Sequence, residues 1–381
     1  MTDNYVLAAI SLHNMAGGLE RNIVSLANRL AECGHRVSLV TFDWETAQSF
    51  YPINEGIRWL KVATSQPHQA IGFTDRLRLI ARIRKALKDA DASVVVCFHH
   101  GILARFLLAS LLLNVRVVAS ERNSLSLYAH TSQSKWNLNF FLMYFVDRIT
   151  VQFPQYVNDY PRLLRSRVVA IPNPVLPVEN FAAPGRAKAG QPFQLLAVGR
   201  LSAQKNFEAL VAAFAKLADR YPAWELIIVG DGERHERLRA EIEKHNLNAR
   251  VRLLPATRSV FDLYRNASVF CMPSKWEGFP NALAEAMAHG LPVIGYAGCA
   301  GVRELIVHGE NGLLATGNGD VDSLSDALEG LMSNPGRREE MGKAAADSVQ
   351  RFNPERVFPL WEDLLQRVAA LRSKAREIRH A

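Results

Sequence analysis

The sequence predicts an α/β fold of two Rossmann-like domains, each a doubly wound parallel sheet. Three observations predict it. Short, almost wholly apolar runs alternate with amphipathic stretches, and strands buried on both faces with helical crossovers make a parallel sheet. The pattern breaks at Pro172-Asn173-Pro174-Val175-Leu176-Pro177 and then restarts. A chain of 381 residues is long enough for two full cores.

In chain order, Tyr5 to Ile10 reads as a buried strand. Gly17-Gly18 follow, then a helix with Leu19, Ile23, Leu26, Ala27 and Leu30 at helical spacing. Gly34 ends that helix, and Arg36 to Thr41 is the next strand. Arg76 to Lys88 is a basic amphipathic helix with Leu77, Ile80, Ile83 and Leu87 as its apolar stripe; Arg78, Arg82, Lys85 and Lys88 lie elsewhere around it. Ser93 to Phe98, Val115 to Ala119, Ile149 to Gln152 and Val168 to Ile171 complete the strands of a first domain, residues 1–172. The polar stretch 173–191 reads as a linker. In the second domain, 192–353, strands are expected at Phe193 to Val198, Trp224 to Val229, Arg250 to Leu254, Ser268 to Met272 and Pro292 to Gly295. Helices are expected at Asn206 to Arg220 and Glu233 to His245. Residues 354–381 form a C-terminal helix, from Pro354 to about Ala375, and the basic tail from Arg367 to His380 is read as solvated.

Lys and Arg number 45 against 37 Asp and Glu, a formal net charge of +8. That balance favours anionic partners: nucleotide diphosphates, anionic lipid headgroups or nucleic acid. With no zinc-finger spacing and no RNA-binding aromatic signature, nucleic acid is not expected. Cys33, Cys97, Cys271 and Cys299 have no paired spacing and lie in or near apolar runs, as reduced, mostly buried thiols of a cytosolic protein do. The opening Met1-Thr2-Asp3-Asn4 lacks the basic region of a signal peptide, and the longest greasy stretch, Phe106 to Leu113, is too short to span a bilayer. A cytoplasmic location is expected, with peripheral contact at the inner face of the membrane. The cations of 76–88 favour such contact with anionic lipid, with Trp136, Phe140 and Phe141 further on.

The most informative segment runs from Pro273 to Gly290. Glu277 and Glu285 stand eight positions apart, and Gly278 and Pro280 break the chain between them. Pro280 suits the first turn of a helix continuing through Ala282, Leu283, Ala284, Glu285, Ala286 and Met287. Glu277 then lies on the loop and Glu285 early in the helix. The helix start, with N–H groups at Asn281 to Leu283, attracts phosphate, and two carboxylates beside it accept bonds from sugar hydroxyls.

This segment resembles the Glu-x7-Glu motif of retaining GT-B glycosyltransferases of family 4. Other pieces follow in the family's order: Gly17-Gly18, then Gly199-Arg200-Leu201-Ser202-Ala203-Gln204-Lys205-Asn206, Gly230-Asp231-Gly232 and Gly309-Glu310-Asn311-Gly312-Leu313-Leu314. The resemblance implies the GT-B architecture, two Rossmann-like domains facing across a cleft with the last helix crossing back to the N-terminal domain. It implies an acceptor-binding first domain and a donor-binding second. Arg200 and Lys205 would neutralise the departing diphosphate in place of a metal. No Asp-x-Asp triplet is present, in keeping with no metal or other cofactor. Glu285 would hold the ribose hydroxyls and Glu277 a hydroxyl of the transferred sugar. Gly278, Phe279, Pro280, Asn281, Ala282 and Leu283 would line the donor site, Leu254 to Thr257 cradle the base, and Gly17-Gly18 let backbone approach the diphosphate.

His99, at the end of a strand, resembles the family's histidine near the donor sugar, with His100 the alternative. A metal on both is not expected, because adjacent side chains on extended backbone point apart. Glu121, Arg122 and Asn123, beyond the next strand, are candidates for the acceptor, or equally a helix-capping turn; this Ser-Glu-Arg-Asn stretch resembles members that build bacterial surface polysaccharides.

The function implied is retaining, metal-independent transfer of a hexose or N-acetylhexosamine from a nucleotide diphosphate sugar, UDP-linked by preference and GDP-mannose next. The acceptor implied is a saccharide, polyprenyl-diphosphate-linked. Two other readings fit the same residues: a nucleotide-sugar epimerase on this fold, and a non-catalytic nucleotide-sugar-binding protein. Turnover without an acceptor would mark the first, and donor binding without turnover the second.

Overall fold

The structure, a computed structural model, describes all residues except 1, 2, 16, 64–71, 126–137, 188, 189, 258 and 381. Trp136 and the side chains of the tail beyond Leu371 therefore lie outside the described residues. The chain divides into two compact units, Met1–Pro174 with Glu355–Ala381, and Val175–Pro354.

The first unit holds strands β1 (Asn4–Ala9), β2 (Arg36–Thr41), β3 (Arg58–Lys61), β4 (Val94–Cys97), β5 (Arg116–Ser120), β6 (Arg148–Val151) and β7 (Val168–Ala170). They form one sheet in the order β3-β2-β1-β4-β5-β6-β7, parallel throughout. Its helices are α1 (Gly18–Glu32), α2 (Phe73–Asp89), α3 (His100–Ser110), α4 (Leu138–Phe141) and α5 (Arg162–Arg165). Successive strands run outward from β1 on one side and from β4 on the other. The order therefore reverses between β1 and β4, and ligands of open α/β sheets bind beyond the strand ends at such a switch point. The loops after β1 and β4 carry Gly17-Gly18 and His99-His100.

The second unit repeats the plan with β8 (Phe193–Val198), β9 (Trp224–Val229), β10 (Val251–Leu254), β11 (Val269–Met272), β12 (Val293–Tyr296) and β13 (Gly312–Ala315). The order is β10-β9-β8-β11-β12-β13, so its switch point lies between β8 and β11. Its helices are α6 (Phe207–Ala218), α7 (His235–Lys244), α8 (Val260–Asn266), α9 (Asn281–Ala288), α10 (Ala300–Leu305), α11 (Val321–Met332) and α12 (Pro335–Val349). The loop after β8 carries Arg200 and Lys205, and the loop after β11 carries Glu277.

Helix α13 (Pro354–His380) starts at the last residue of the second unit and belongs to the first. Val357, Trp361, Leu364, Leu365 and Val368 are buried in one cluster with Leu7, Val96 and Phe98 of the first sheet. The Trp361 and Phe98 rings lie 5.8 Å apart.

Two segments differ from the sequence-based expectation. In α2 the buried residues are Leu79, Ile83, Ala86 and Leu87, whereas Leu77 is 53% exposed. Leu77 stands roughly 160° around the helix from Leu79 at 3.6 residues per turn, so the docked face cannot hold both. Residues of the expected linker also fasten to the second unit: the Ala182 N–H donates to the His289 carbonyl at 2.8 Å, and Arg338 Nε donates to the Pro184 carbonyl at 2.6 Å. Arg338 is 1% exposed, with its guanidinium 4.6 Å from the Phe193 ring and 5.0 Å from the Trp224 ring. Its Nη1 donates to the Leu331 and Met332 carbonyls. A buried cation needs that full set of partners, and burial still draws its pKa down to about 10.

Candidate functional site

In the second unit three loops meet at the switch point. The Gly199 N–H donates to Val229 O at 3.0 Å and the Leu201 N–H to Asp231 O at 2.9 Å, laying the loop after β8 on the Gly230-Asp231-Gly232 turn. A Cβ on Gly230 would sit 2.0 Å from Gly199 O, and one on Gly232 would sit 2.3 Å from Leu201 O. Only glycine allows that approach, which is the physical content of the Gly-Asp-Gly motif.

The same loop is tied to the one after β11. The Lys275 N–H donates to Gln204 O at 2.8 Å, and Gln204 Nε2 donates to Trp276 O at 2.8 Å. These bonds bring Lys205 Nζ to 2.5 Å from Glu277 Oε1, with the side chains 16% and 9% exposed. The first sugar-facing carboxylate of the sequence reading and the second phosphate-facing cation are thus one ion pair. Arg200, earlier on the loop that carries Lys205, is exposed. Gly301 closes the back of the pair, since a Cβ there would lie 2.7 Å from Gly278 O and 3.0 Å from Glu277 Cβ. Ser274 Oγ and Asn206 Nδ2, on the two loops, are buried without a hydrogen-bond partner.

Beyond Glu277, Phe279 turns inward: it is 5% exposed and its ring meets Phe352 edge-on at 5.3 Å. Of the expected donor-lining residues Gly278 to Leu283, Phe279 thus contributes backbone. Pro280 is the N-cap of α9, and its carbonyl accepts from the Ala284 N–H at 3.1 Å. Asn281 and Ala282 are half-buried at that start. Glu285 is the fifth residue of the helix, half-buried, and accepts a bond from the Tyr264 hydroxyl at 3.2 Å. The Leu254–Thr257 stretch is joined to the Gly-Asp-Gly turn by Gly230 N–H to Leu254 O at 2.9 Å and Ala256 N–H to Asp231 Oδ2 at 3.2 Å.

In the first unit, Gly17 is the N-cap of α1 and Gly18 its first residue. Asp43 holds the loop before them, accepting from the Leu12 N–H at 2.8 Å and from Ser11 Oγ at 2.5 Å. His99 caps α3: its Nδ1 accepts from the Gly101 N–H at 2.9 Å. His100 opens the helix, and its Nδ1 lies 3.1 Å from Glu121 Oε2. The two histidine rings do not point apart, as extended backbone would require. They stack at 4.5 Å, because His99 alone is extended and His100 is already helical. Among the described residues no group of three or more His, Cys, Asp or Glu side chains is placed to hold a metal ion.

The bond to Glu121 raises the His100 pKa, while burial, followed by the charge of His100, lowers that of His99. Glu121 is 5% exposed and its Oε1 has no hydrogen-bond partner. Arg122 donates to Asn173 Oδ1 and lies over the Phe98 ring, and burial draws its pKa down to about 10. Arg122 is therefore engaged within its own unit, and Asn123 is half-buried beside it. Sequence reasoning missed Tyr264 and Gly301, and the tie made by Gln204, because their partners are distant in the chain and leave no local signature.

Residues 16–177 match the family described as Glycosyltransferase Family 4, and residues 179–348 the family described as Glycosyl transferases group 1. An uncharacterized glycosyltransferase of Haemophilus influenzae is 26% identical over 353 residues, covering 92% of this chain and 96% of its own. An N-acetyl-D-galactosaminyltransferase of Campylobacter jejuni, named for a PP-undecaprenol-linked substrate, is 24% identical over 371 residues, covering 97% and 99%. Among solved structures, Anabaena HepE in complex with UDP and glucose has a TM-score of 0.76 at 19% identity, covering 96% and 99%. That likeness is one of fold.

Proposed function

Since the chain belongs to glycosyltransferase family 4 and has the GT-B fold, we propose that it is a retaining transferase moving a hexose or N-acetylhexosamine from a nucleotide diphosphate sugar to a saccharide acceptor. UDP is the favoured nucleotide, with GDP-mannose next. The acceptor proposed is polyprenyl-diphosphate-linked, in the assembly of a bacterial surface glycan. The reading is supported by HepE's capture of UDP and glucose and by the Campylobacter relative's named substrate.

The observation that carries it is the Lys205–Glu277 pair at 2.5 Å, with exposed Arg200 on the loop that holds Lys205 and the start of α9 following Pro280. One cation in a fork and one as a point charge suit the two phosphates of a donor. Glu277 faces the sugar, Glu285 takes the ribose diol, and the α9 start adds its dipole. In the transfer, the acceptor oxygen forms a bond to the anomeric carbon as the bond to the diphosphate breaks. The electron pair leaves with the diphosphate, whose oxygen takes the acceptor's proton on the same face. The protein's part is positioning and stabilising the charge that develops on the leaving group. His99 is proposed near the donor sugar, and Glu121 with Asn123 on the acceptor side. The chemistry proposed needs no metal, and the α2 face is proposed to meet anionic lipid.

A screen of UDP-, GDP-, ADP- and dTDP-sugars for protection against thermal unfolding tests the donor. A true donor at a hundred times its dissociation constant adds about 2.7 kcal/mol. The expected outcome is protection by a UDP-sugar, followed by transfer that survives saturating chelator and keeps the anomeric configuration. No protection by any nucleotide sugar, an absolute manganese requirement, or turnover of donor to an epimer without acceptor would overturn it.

A further inference from the structure

Tyr264 is fully buried on α8, with its ring 5.8 Å from Phe270 and 5.0 Å from His289. Its hydroxyl reaches out of that packing to Glu285 Oε2 at 3.2 Å. The main chain of Glu285 is held as well: its carbonyl lies 2.7 Å from His289 Nδ1 and accepts from the His289 N–H at 3.1 Å. Facing a carbonyl oxygen, the His289 Nδ1 must donate, and burial lowers the pKa of this imidazole. Glu285 is thus gripped at backbone and at side chain by two neighbours whose rings pack against one another at a tilt of 39°.

A glutamate on a helix surface has three rotatable bonds, and fixing them at the moment of binding costs roughly 1–2 kcal/mol. A carboxylate already held by one neutral donor keeps its charge and most of its accepting capacity for a ligand. We infer that Tyr264 is a positioning residue: its hydroxyl sets the Glu285 carboxylate in advance for the two ribose hydroxyls of the donor nucleotide. The inference rests on the reading of Glu285 as the ribose-binding residue, and makes Tyr264 part of what distinguishes a ribonucleotide from a deoxyribonucleotide.

The test is calorimetry with two probes, UDP and 2′,3′-dideoxy-UDP, on the full chain and on Tyr264→Phe and Glu285→Gln. Tyr264→Phe removes one hydroxyl and leaves the ring packing. It is expected to weaken UDP by roughly three- to tenfold, the scale of one hydrogen bond, and to leave dideoxy-UDP unchanged. Equal weakening of both probes would mean that Tyr264 only supports the fold, and no change in either would mean that the hydroxyl positions nothing; both outcomes overturn the inference. Glu285→Gln is the control for the underlying reading. If Glu285→Gln weakens both probes equally, or neither, ribose binding by Glu285 is wrong, and this inference falls with it. Each comparison is a ratio of dissociation constants on one preparation, so a partly folded variant still gives an answer. Tyr264→Met, which also lacks the hydroxyl, provides a second variant with the same expected ratio.

Discussion

Lys205 and Glu277 cannot be altered independently. With side chains only 16% and 9% exposed, removing either leaves a buried charge without its partner, which costs on the order of 3–5 kcal/mol. Activity lost in Lys205→Ala would therefore mix lost chemistry with lost stability. Glutamine separates the roles of the two glutamates better, because at position 277 its Oε1 can still accept from Lys205 Nζ. Glu285→Gln is expected to weaken bare UDP by about 1.5–3 kcal/mol, the scale of a hydrogen bond to a charged group. Glu277→Gln should leave UDP affinity nearly unchanged and lower turnover instead, as expected for a contact realised with the sugar in the transition state. Calorimetry with UDP beside transfer kinetics decides it, and equal loss of UDP affinity in both variants would end this division of labour.

At the scale of elements, α2 carries the membrane proposal. Its docked face uses Leu79, Ile83 and Leu87, which leaves Phe73 at 76% and Leu77 at 53% exposure. Those apolar side chains stand among the cations of the helix. Arg78 pairs with Asp75 at 3.1 Å and Lys85 with Asp89 at 2.6 Å, both in solvent, where such pairs contribute little and exchange readily with other anions. Binding to anionic vesicles is expected to exceed binding to neutral ones, to weaken as salt rises, and to fall when Arg78, Arg82 and Lys85 become Gln. Sedimentation with both vesicle types measures this, and equal binding to the two would refute an electrostatic contribution. The strands of both sheets were mostly legible in the sequence because burial on both faces gives an uninterrupted apolar run: Arg36–Thr41, Phe193–Val198 and Trp224–Val229 appear with the bounds expected. Strand β3, Arg58–Lys61, was not, because it is a half-exposed edge whose apolar run is only Trp59-Leu60 between two cations. Gly312–Ala315 was visible as a motif but not as β13, being a short strand that begins on glycine. Of the candidate site, the residues fixed by local spacing, Arg200, Lys205, Glu277 and Glu285, could be picked out directly. Tyr264 could not, since its bond to Glu285 crosses 21 positions. Nor could the stacking of His99 on His100, which depends on where helix α3 begins.

On the scale of the whole molecule, the two units share a plan without sharing sequence, and each places its candidate residues beyond the carboxyl ends of the strands flanking its own switch point. The C-terminal helix belongs to the first unit although the chain reaches it only after completing the second. The first unit therefore closes its core last, and a chain ending before Val357 would leave Phe98 without Trp361. The cysteines turn this architecture into a chemical clock. Cys33 is exposed, whereas Cys97 lies in the central strand β4 of one unit and Cys271 in the central strand β11 of the other, both fully buried. Burial shields these two thiols and Cys299 from reagent and raises the pKa of all three, that of Cys299 to about 12; Cys33, whose pKa is raised as well, differs in being exposed. A brief maleimide pulse read by mass spectrometry should tag Cys33 alone in buffer; prompt tagging of Cys97 or Cys271 there would contradict the burial described. Across a denaturant series, Cys97 and Cys271 then time the opening of their own units separately, so the chain carries a built-in reporter for each half and needs no added dye.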